Sequence, residues 1–319
     1  MLSTRFTERV GCEVPIQQAG MGGVASPDLA VAVSAAGGLG TVAPHMMPAP
    51  MVAEMLDAMA RQTDAPLAFN VLVPFVDRDA VTAAASRCRL VEFFYDDPDP
   101  TLVRLAHDGG ALAAWQVGSR VEAVAAWEAG CDIVIVQGVE AGGHVRGRVG
   151  LLTLLPDVLE AVDVPVVAAG GIGSARAAAA AFAAGADAVR VGTRFVATPE
   201  ADTHPEYADA LVGARAEDTV LTEAFSVMWP NAPHRVLRSC VDRAEALGDA
   251  TVGEITMGGT TMPVPRLSVL APTRTTTGAV DAMALYAGES VTDVTGVMPA
   301  RDVVLEITTG AEELLRRWT

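Results

Sequence analysis

A chain of 319 residues with 51% hydrophobic and only 5% aromatic residues can bury a large core of small-residue helices on a β layer, which excludes a disordered chain. Its formal charge of −17 excludes general nucleic-acid binding, which needs a basic surface. All 22 basic residues are arginine, so Schiff-base lysine chemistry and a Walker-type phosphate loop are excluded as well.

Short apolar runs alternate with amphipathic segments, the rhythm of a parallel βα sheet. The first predicted strand, 14–19, ends in Gly20, Met21, Gly22 and Gly23, and Ser26-Pro27-Asp28 opens an alanine-rich helix to 36. A strand at 39–42 and a helix at 48–62 follow, then a strand at 67–72 with Asn70 near its end. The next pairs are a helix at 79–87 with a strand at 90–95, and a helix at 101–107 with a strand at 111–117. Ser119 caps a helix to 129, and the sixth strand, 132–136, is an uncharged run of the fully buried kind. It feeds the loop QGVEAGGHVRG, 137–147. A helix at 153–161, a strand at 165–169, a helix capped by Ser174 to 184 and a strand at 188–191 complete eight alternations. They occupy roughly 200 residues, which predicts an α/β fold of the (β/α)8 TIM barrel type.

After Phe195 the rhythm stops. Residues up to Tyr207 can supply an eighth helix, and 220–287 mixes helical stretches with Thr, Gly and Pro clusters. The predicted organisation is a barrel at 1–212, a cap inserted after strand eight at 213–289, and a segment at 290–319 whose amphipathic part, 301–318, packs back on the barrel.

The loop after strand six concentrates the chemistry. Gly138, Gly142 and Gly143 let the backbone turn and approach a ligand, while Gln137, Glu140, His144 and Arg146 bring polar groups to the same stretch. His144 is the candidate acid, base or hydrogen-bond donor, since an ordinary imidazole titrates near neutrality. Gly20-x-Gly22-x-x-Ala25 follows a strand and opens a helix, but residues 41–46 contain no acid to hold a ribose. A glycine loop over a flavin or phosphate fits better, and a plain tight turn is the other reading. Gly170-Gly171-Ile172-Gly173-Ser174 and Gly192-Thr193 end strands seven and eight, where barrels bind phosphate through backbone N–H groups.

The other histidines, His45, His107, His204 and His234, read as structural or surface residues, and Arg235 and Arg238 as a solvated face. Met46 and Met47 can face an apolar substrate. The four cysteines are far apart, and no HxH or HExxH spacing supports a metal site. No signal-peptide-like or membrane-spanning run appears, so the expected location is the cytoplasm, without a membrane partner.

In chain order, AGMGG at 19–23, FNVLVPF at 69–75, VQGVEAGGH at 136–144 and AAGGIGSARAAAAAFAAGADAVRVGTRF at 168–195 resemble the nitronate monooxygenase family, also called 2-nitropropane dioxygenases, and the related FMN-dependent enoyl-acyl carrier protein reductases. The resemblance implies an FMN-containing barrel with a cap over the flavin. Ala19, Gly20, Met21 and Gly22 would pass beside the cofactor, Asn70 and Gln137 would hydrogen-bond it, and Gly170, Gly171, Gly192 and Thr193 would hold its phosphate. Gly142, Gly143 and Ala169 would complete the cofactor wall, with His144 over the flavin as the catalytic residue. Tyr286-Ala287-Gly288-Glu289-Ser290 is similar to a family AGQS element, with Glu289 in place of glutamine. The activity implied is oxidation of an alkyl nitronate by O2 to a carbonyl compound and nitrite. The alternatives are an NAD(P)H-dependent reductase of an enoyl thioester or a quinone, and a non-catalytic flavin-binding protein. Expected partners are a small-molecule substrate and, for a reductase, NAD(P)H, in a monomer or homodimer.

Overall fold

The computed structural model describes residues 2–257 and 259–317. The apolar runs form eight parallel strands, Ile16–Gln18, Gly40–Val42, Leu67–Leu72, Leu90–Phe94, Leu112–Val117, Ile133–Gln137, Val166–Ala169 and Ala188–Val191. They pair in ring order, the first strand lies beside the eighth, and a parallel bridge between Gln17 and Leu39 joins the first to the second. The sheet therefore closes into the predicted (β/α)8 barrel. Each strand lies within two residues of its predicted position.

The local signals for the helices are side-chain caps. Ser26, Ser119 and Ser174 accept hydrogen bonds from the amides of Leu29, Glu122 and Ala177, and Asp77 and Asp99 cap the helices Arg78–Ala85 and Pro100–Asp108 in the same way. Each cap satisfies an amide that has no partner inside its helix.

A further helix, Arg5–Val10, precedes the barrel; a reciprocal Thr4–Thr7 capping box starts it and Gly11, at φ 88°, ends it. Its Phe6 and Val10 cluster with Leu39, Leu90, Ile133 and Val167, which plugs the N-terminal end of the barrel. Only the C-terminal end remains open for a site.

The eighth place in the helix ring is filled differently from the expectation. Thr193–Val196 is a single turn and Pro205–Leu211 is short, whereas Ala300–Leu315 packs against both Ala175–Ala183 and Pro27–Ala35. Val303, Val304, Ile307 and Ala311 form its buried stripe. The chain leaves the barrel after strand eight, builds the cap, and returns to close the ring only at residue 300. Trp318, part of the expected amphipathic segment, lies outside the described residues.

The cap begins with strands Thr219–Thr222 and His234–Leu237, which are antiparallel, and His234–Leu237 also pairs with Gly143–His144 from the loop after strand six. A second small sheet holds Thr251–Met257, Thr260–Pro265 and Thr277–Gly278. Phe225, Val236, Ile255 and Met283 of this region belong to the same apolar core as the barrel helices, so burial runs without a break from barrel to cap.

Candidate active site

The C-terminal ends of the strands and the cap enclose a cavity of about 700 Å³. Every cofactor-binding candidate named from the sequence lines it: Ala19, Gly20, Met21, Gly22, Asn70, Gln137, Gly142, Gly143, Ala169, Gly170, Gly171, Gly192 and Thr193, together with His144. Gly143, Gly170 and Gly171 have φ of 73°, 105° and 68°, the left-handed region in which a Cβ is strained. Three non-glycine residues in that region also surround the site: Met46 and Met228 line the cavity and Tyr95 packs on its aromatic wall. Backbone strain of this kind gathers at functional sites because the surrounding structure must hold it in place.

His144 is positioned by the cap. Pairing with His234–Leu237 fixes its backbone, and the Gln137 side chain donates to its carbonyl at 3.0 Å. Its ring stacks on Trp229, with centroids 4.0 Å apart and planes 23° from parallel. Tyr95 meets it edge-on at 5.7 Å, and Tyr286 lies at the same centroid distance. Burial, and then the repulsion a charged ring would feel from His234 and His45, lowers the His144 pKa to about 3. The imidazole is therefore neutral throughout the physiological range. Its Nε2 and the Oε1 of Gln137 are buried without a hydrogen-bond partner among the described residues. Both residues line the cavity, and buried polar groups in folded proteins are as a rule completed by a partner, a ligand or water.

The polar residues of this loop divide into two pairs. Gln137 and His144 face the cavity, whereas Glu140 and Arg146 are structural. The Glu140 carboxylate accepts the Leu151 amide at 2.9 Å and caps the helix Leu151–Leu159, whose own N-cap, Gly150, has no side chain. Arg146 pairs with Glu122 at 2.9 Å and with Asp97. Glu140→Ala is expected to lower stability by about 1 kcal/mol, the usual worth of a cap, in a urea titration. A shift below a few tenths would contradict the capping role.

Two sequence expectations need correction. His45 is not merely structural or superficial: it lines the cavity, a Cβ on Gly22 would lie 2.8 Å from its Cδ2, and burial lowers its pKa to about 4. Arg235 is not on a solvated face: it is buried, donates to the Val139 carbonyl and Thr219, and pairs with Glu289 at 3.2 Å. Glu289 thereby ties the 287–290 segment to the cap. That segment also donates its Gly288 amide to the Thr193 hydroxyl at 3.0 Å, which leaves the Thr193 O–H free to donate elsewhere. His234 is structural as expected, buried with its Nδ1 2.8 Å from the Ala232 carbonyl.

Sequence reasoning missed Trp229, Gln116 and Arg190 and named Tyr286 only as part of the family-like 286–290 segment; all four are on the cavity wall. Trp229 and Tyr286 come from the region without βα rhythm, where no local pattern shows what they will cover. Arg190 did carry a signal, a charge inside an otherwise apolar strand. Among the described residues no group of three His, Cys, Asp or Glu side chains could hold a metal ion, and no helix is long and apolar enough to cross a membrane.

A family model described as nitronate monooxygenase matches residues 3–86 and 73–310. The chain belongs to the nitronate monooxygenase family. It is 36% identical over 242 residues to a (3aS,4S,5R,7aS)-5-hydroxy-7a-methyl-1-oxo-octahydro-1H-indene-4-carboxyl-CoA dehydrogenase of Rhodococcus jostii, a match that takes in 75% of this chain and 66% of that relative's length. The solved structure of FabK from Thermotoga maritima superposes with a TM-score of 0.83 at 29% identity, covering 100% of this chain and 99% of that one. A nitroalkane oxidase from Streptomyces ansochromogenes gives 0.81 at 29% identity, covering 99% and 100%. As a member of the nitronate monooxygenase family the protein is an oxidoreductase that depends on a flavin.

Proposed function

We propose that the protein binds FMN in the cavity and oxidises an alkyl nitronate with O2 to a carbonyl compound and nitrite. Bound there, FMN would supply the redox chemistry, taking electrons from the substrate and passing them to O2. The residues fit such a ligand. Glycines at positive φ around Gly170 and Gly171, with the Thr193 hydroxyl, offer the donors a phosphate needs. At Gly192 an added Cβ would meet nothing nearer than Ala19 at 3.5 Å, so the bare backbone leaves cavity space for a ligand. Asn70 and the unpartnered Gln137 Oε1 supply acceptors for ring N–H or ribityl O–H groups, and Ala19, Gly20, Met21, Gly22, Gly142, Gly143 and Ala169 complete the wall.

One observation carries the choice of substrate: His144, neutral and on the cavity lining, keeps an Nε2 without a hydrogen-bond partner among the described residues, within an aromatic wall. An imidazole with so low a pKa is a poor base near neutrality, because base efficiency falls as the pKa drops below the working pH. It can donate one hydrogen bond to a substrate oxygen. A substrate that arrives with its carbon-bound proton already removed, a nitronate, needs that donor and no base. Trp229, Tyr95 and Tyr286 pack around the ring.

The 36% identical dehydrogenase of a CoA thioester favours a second reading, a thioester substrate with NAD(P)H as its partner in the reductive direction. The acidic residues on the cavity lining disfavour polyphosphates. Asp28, Glu200 and Asp202 line the cavity, and of the two arginines on the lining Arg274 is bonded to the carbonyls of Pro199 and Ala201 and Arg190 to Glu92. Anaerobic stopped-flow mixing of the FMN-loaded protein separates the two. Bleaching by an alkyl nitronate, and nitrite release when O2 is admitted, are expected. Bleaching by NADH or NADPH with none by nitronates would overturn the proposal.

A further inference from the structure

Beneath the cavity the barrel interior holds a buried ion pair that the reading above does not use. Glu92 on strand four and Arg190 on strand eight, opposite each other in the ring, form two hydrogen bonds of 2.5 and 2.7 Å. Their side chains are 1% and 4% exposed. The same carboxylate accepts from the Gln17 amide at 2.6 Å and the Asn70 amide at 2.7 Å. A carboxylate can only accept, so the Asn70 NH2 must point to Glu92 and its Oδ1 is the atom left for the cavity. Arg190 and Asn70 both line that cavity. The guanidinium is thus a cation at the cavity floor whose charge is balanced, among the described residues, by Glu92 alone.

We propose that Glu92 is a positioning residue for the flavin: it sets Asn70 with its acceptor toward the cofactor and cancels the charge of Arg190 beneath it. This rests on the flavin reading above. A cation left unbalanced beside a flavin favours any state in which the flavin carries negative charge, because the low-dielectric interior screens it little. The pair therefore keeps the cofactor from becoming a stronger oxidant, and its members act through charge and orientation, since no other described side chain is bonded to both Arg190 and Asn70.

The test uses sulfite, which adds reversibly to oxidised flavin and leaves a negative charge on it, so its affinity reads the charge of the cavity floor. FMN-loaded Glu92→Gln is expected to bind sulfite at least ten times more tightly than wild type and to show a more positive midpoint potential. Because removing one member of a buried pair can unfold a protein, the neutral double variant Glu92→Leu/Arg190→Met, which leaves no acceptor for the Asn70 amide, is the second arm. It should keep sulfite affinity within about threefold of wild type, the net floor charge being zero in both. Its FMN affinity should fall about tenfold, since Asn70 is no longer oriented. Unchanged sulfite affinity in a folded Glu92→Gln, or a tenfold change in the double variant, overturns the assignment; if Glu92→Gln does not fold, the double variant decides alone. Wild type that takes up no flavin instead fails the cofactor reading, a different and recognisable result.

Discussion

His144→Asn is expected to lower kcat/KM for an alkyl nitronate by about 10²–10³, the usual loss when one preorganised donor to developing charge is removed, with FMN still bound. Asparagine keeps a polar group near the same place but cannot reproduce the ring that stacks on Trp229 at 4.0 Å. The pH profile carries the sharper information. With the imidazole pKa lowered to about 3 by burial, wild type should show no inflection from His144 between about pH 5 and 8. An inflection near 6.5 that vanishes in His144→Asn would restore it as a general base. The same shift couples to stability. The folded pKa lies below the ordinary 6.5, so the unfolded chain binds the proton more readily. The contribution is complete above about pH 6.5 and is lost as the pH falls toward 3. His45, lowered to about 4, acts with the same sign. Urea titrations at pH 7.5 and 4.5 should therefore show a smaller acid loss for His144→Asn than for wild type.

Gly142→Ala is expected to be the more damaging substitution for the fold, by about 3 kcal/mol, the upper end for overpacking a core. Its Cβ would fall 2.3 Å from the Gly288 amide nitrogen and 2.7 Å from the Ala287 carbonyl carbon. Both are backbone atoms, which cannot swing aside as a side-chain tip can. The displacement would separate the 287–290 segment from the loop that carries His144 and break the Gly288–Thr193 hydrogen bond. Thermal melts and the FMN content after gel filtration read the two consequences. Gly143→Ala is the control: a Cβ there meets open space and only the φ of 73° opposes it, a cost of about 1–2 kcal/mol. If Gly142→Ala proves no worse than the control, the close approach to Gly288 does not constrain the loop.

The two glycines show why the sequence could name residues without ranking them. Gly142 and Gly143 are adjacent and chemically identical, and both mark a sharp loop. One is required by a backbone segment that arrives almost 150 residues later in the chain, the other by its own dihedral angle. Glu140 and His144 show the same gap. Both are polar residues beside glycines, yet one caps a helix and the other lines the cavity with a ring nitrogen that has no partner among the described residues. Nothing local distinguishes them, because the difference lies in what packs on each.

The sequence alone determined the features that depend on near neighbours. Period and capping set the eight strands and most of the barrel helices, since strand burial and helix starts are decided within a few residues. Glycine runs at strand ends marked the loops that reach the cavity, because in a parallel barrel every such end lies on one face. Tertiary structure decided everything that depends on the chain's return. Only there does Ala300–Leu315 take the eighth helical place, does Trp229 stack on His144, and does Arg190 find Glu92 across the barrel. These are contacts between residues distant in sequence, formed because the closed barrel buries polar groups that must then be satisfied from wherever the chain next passes.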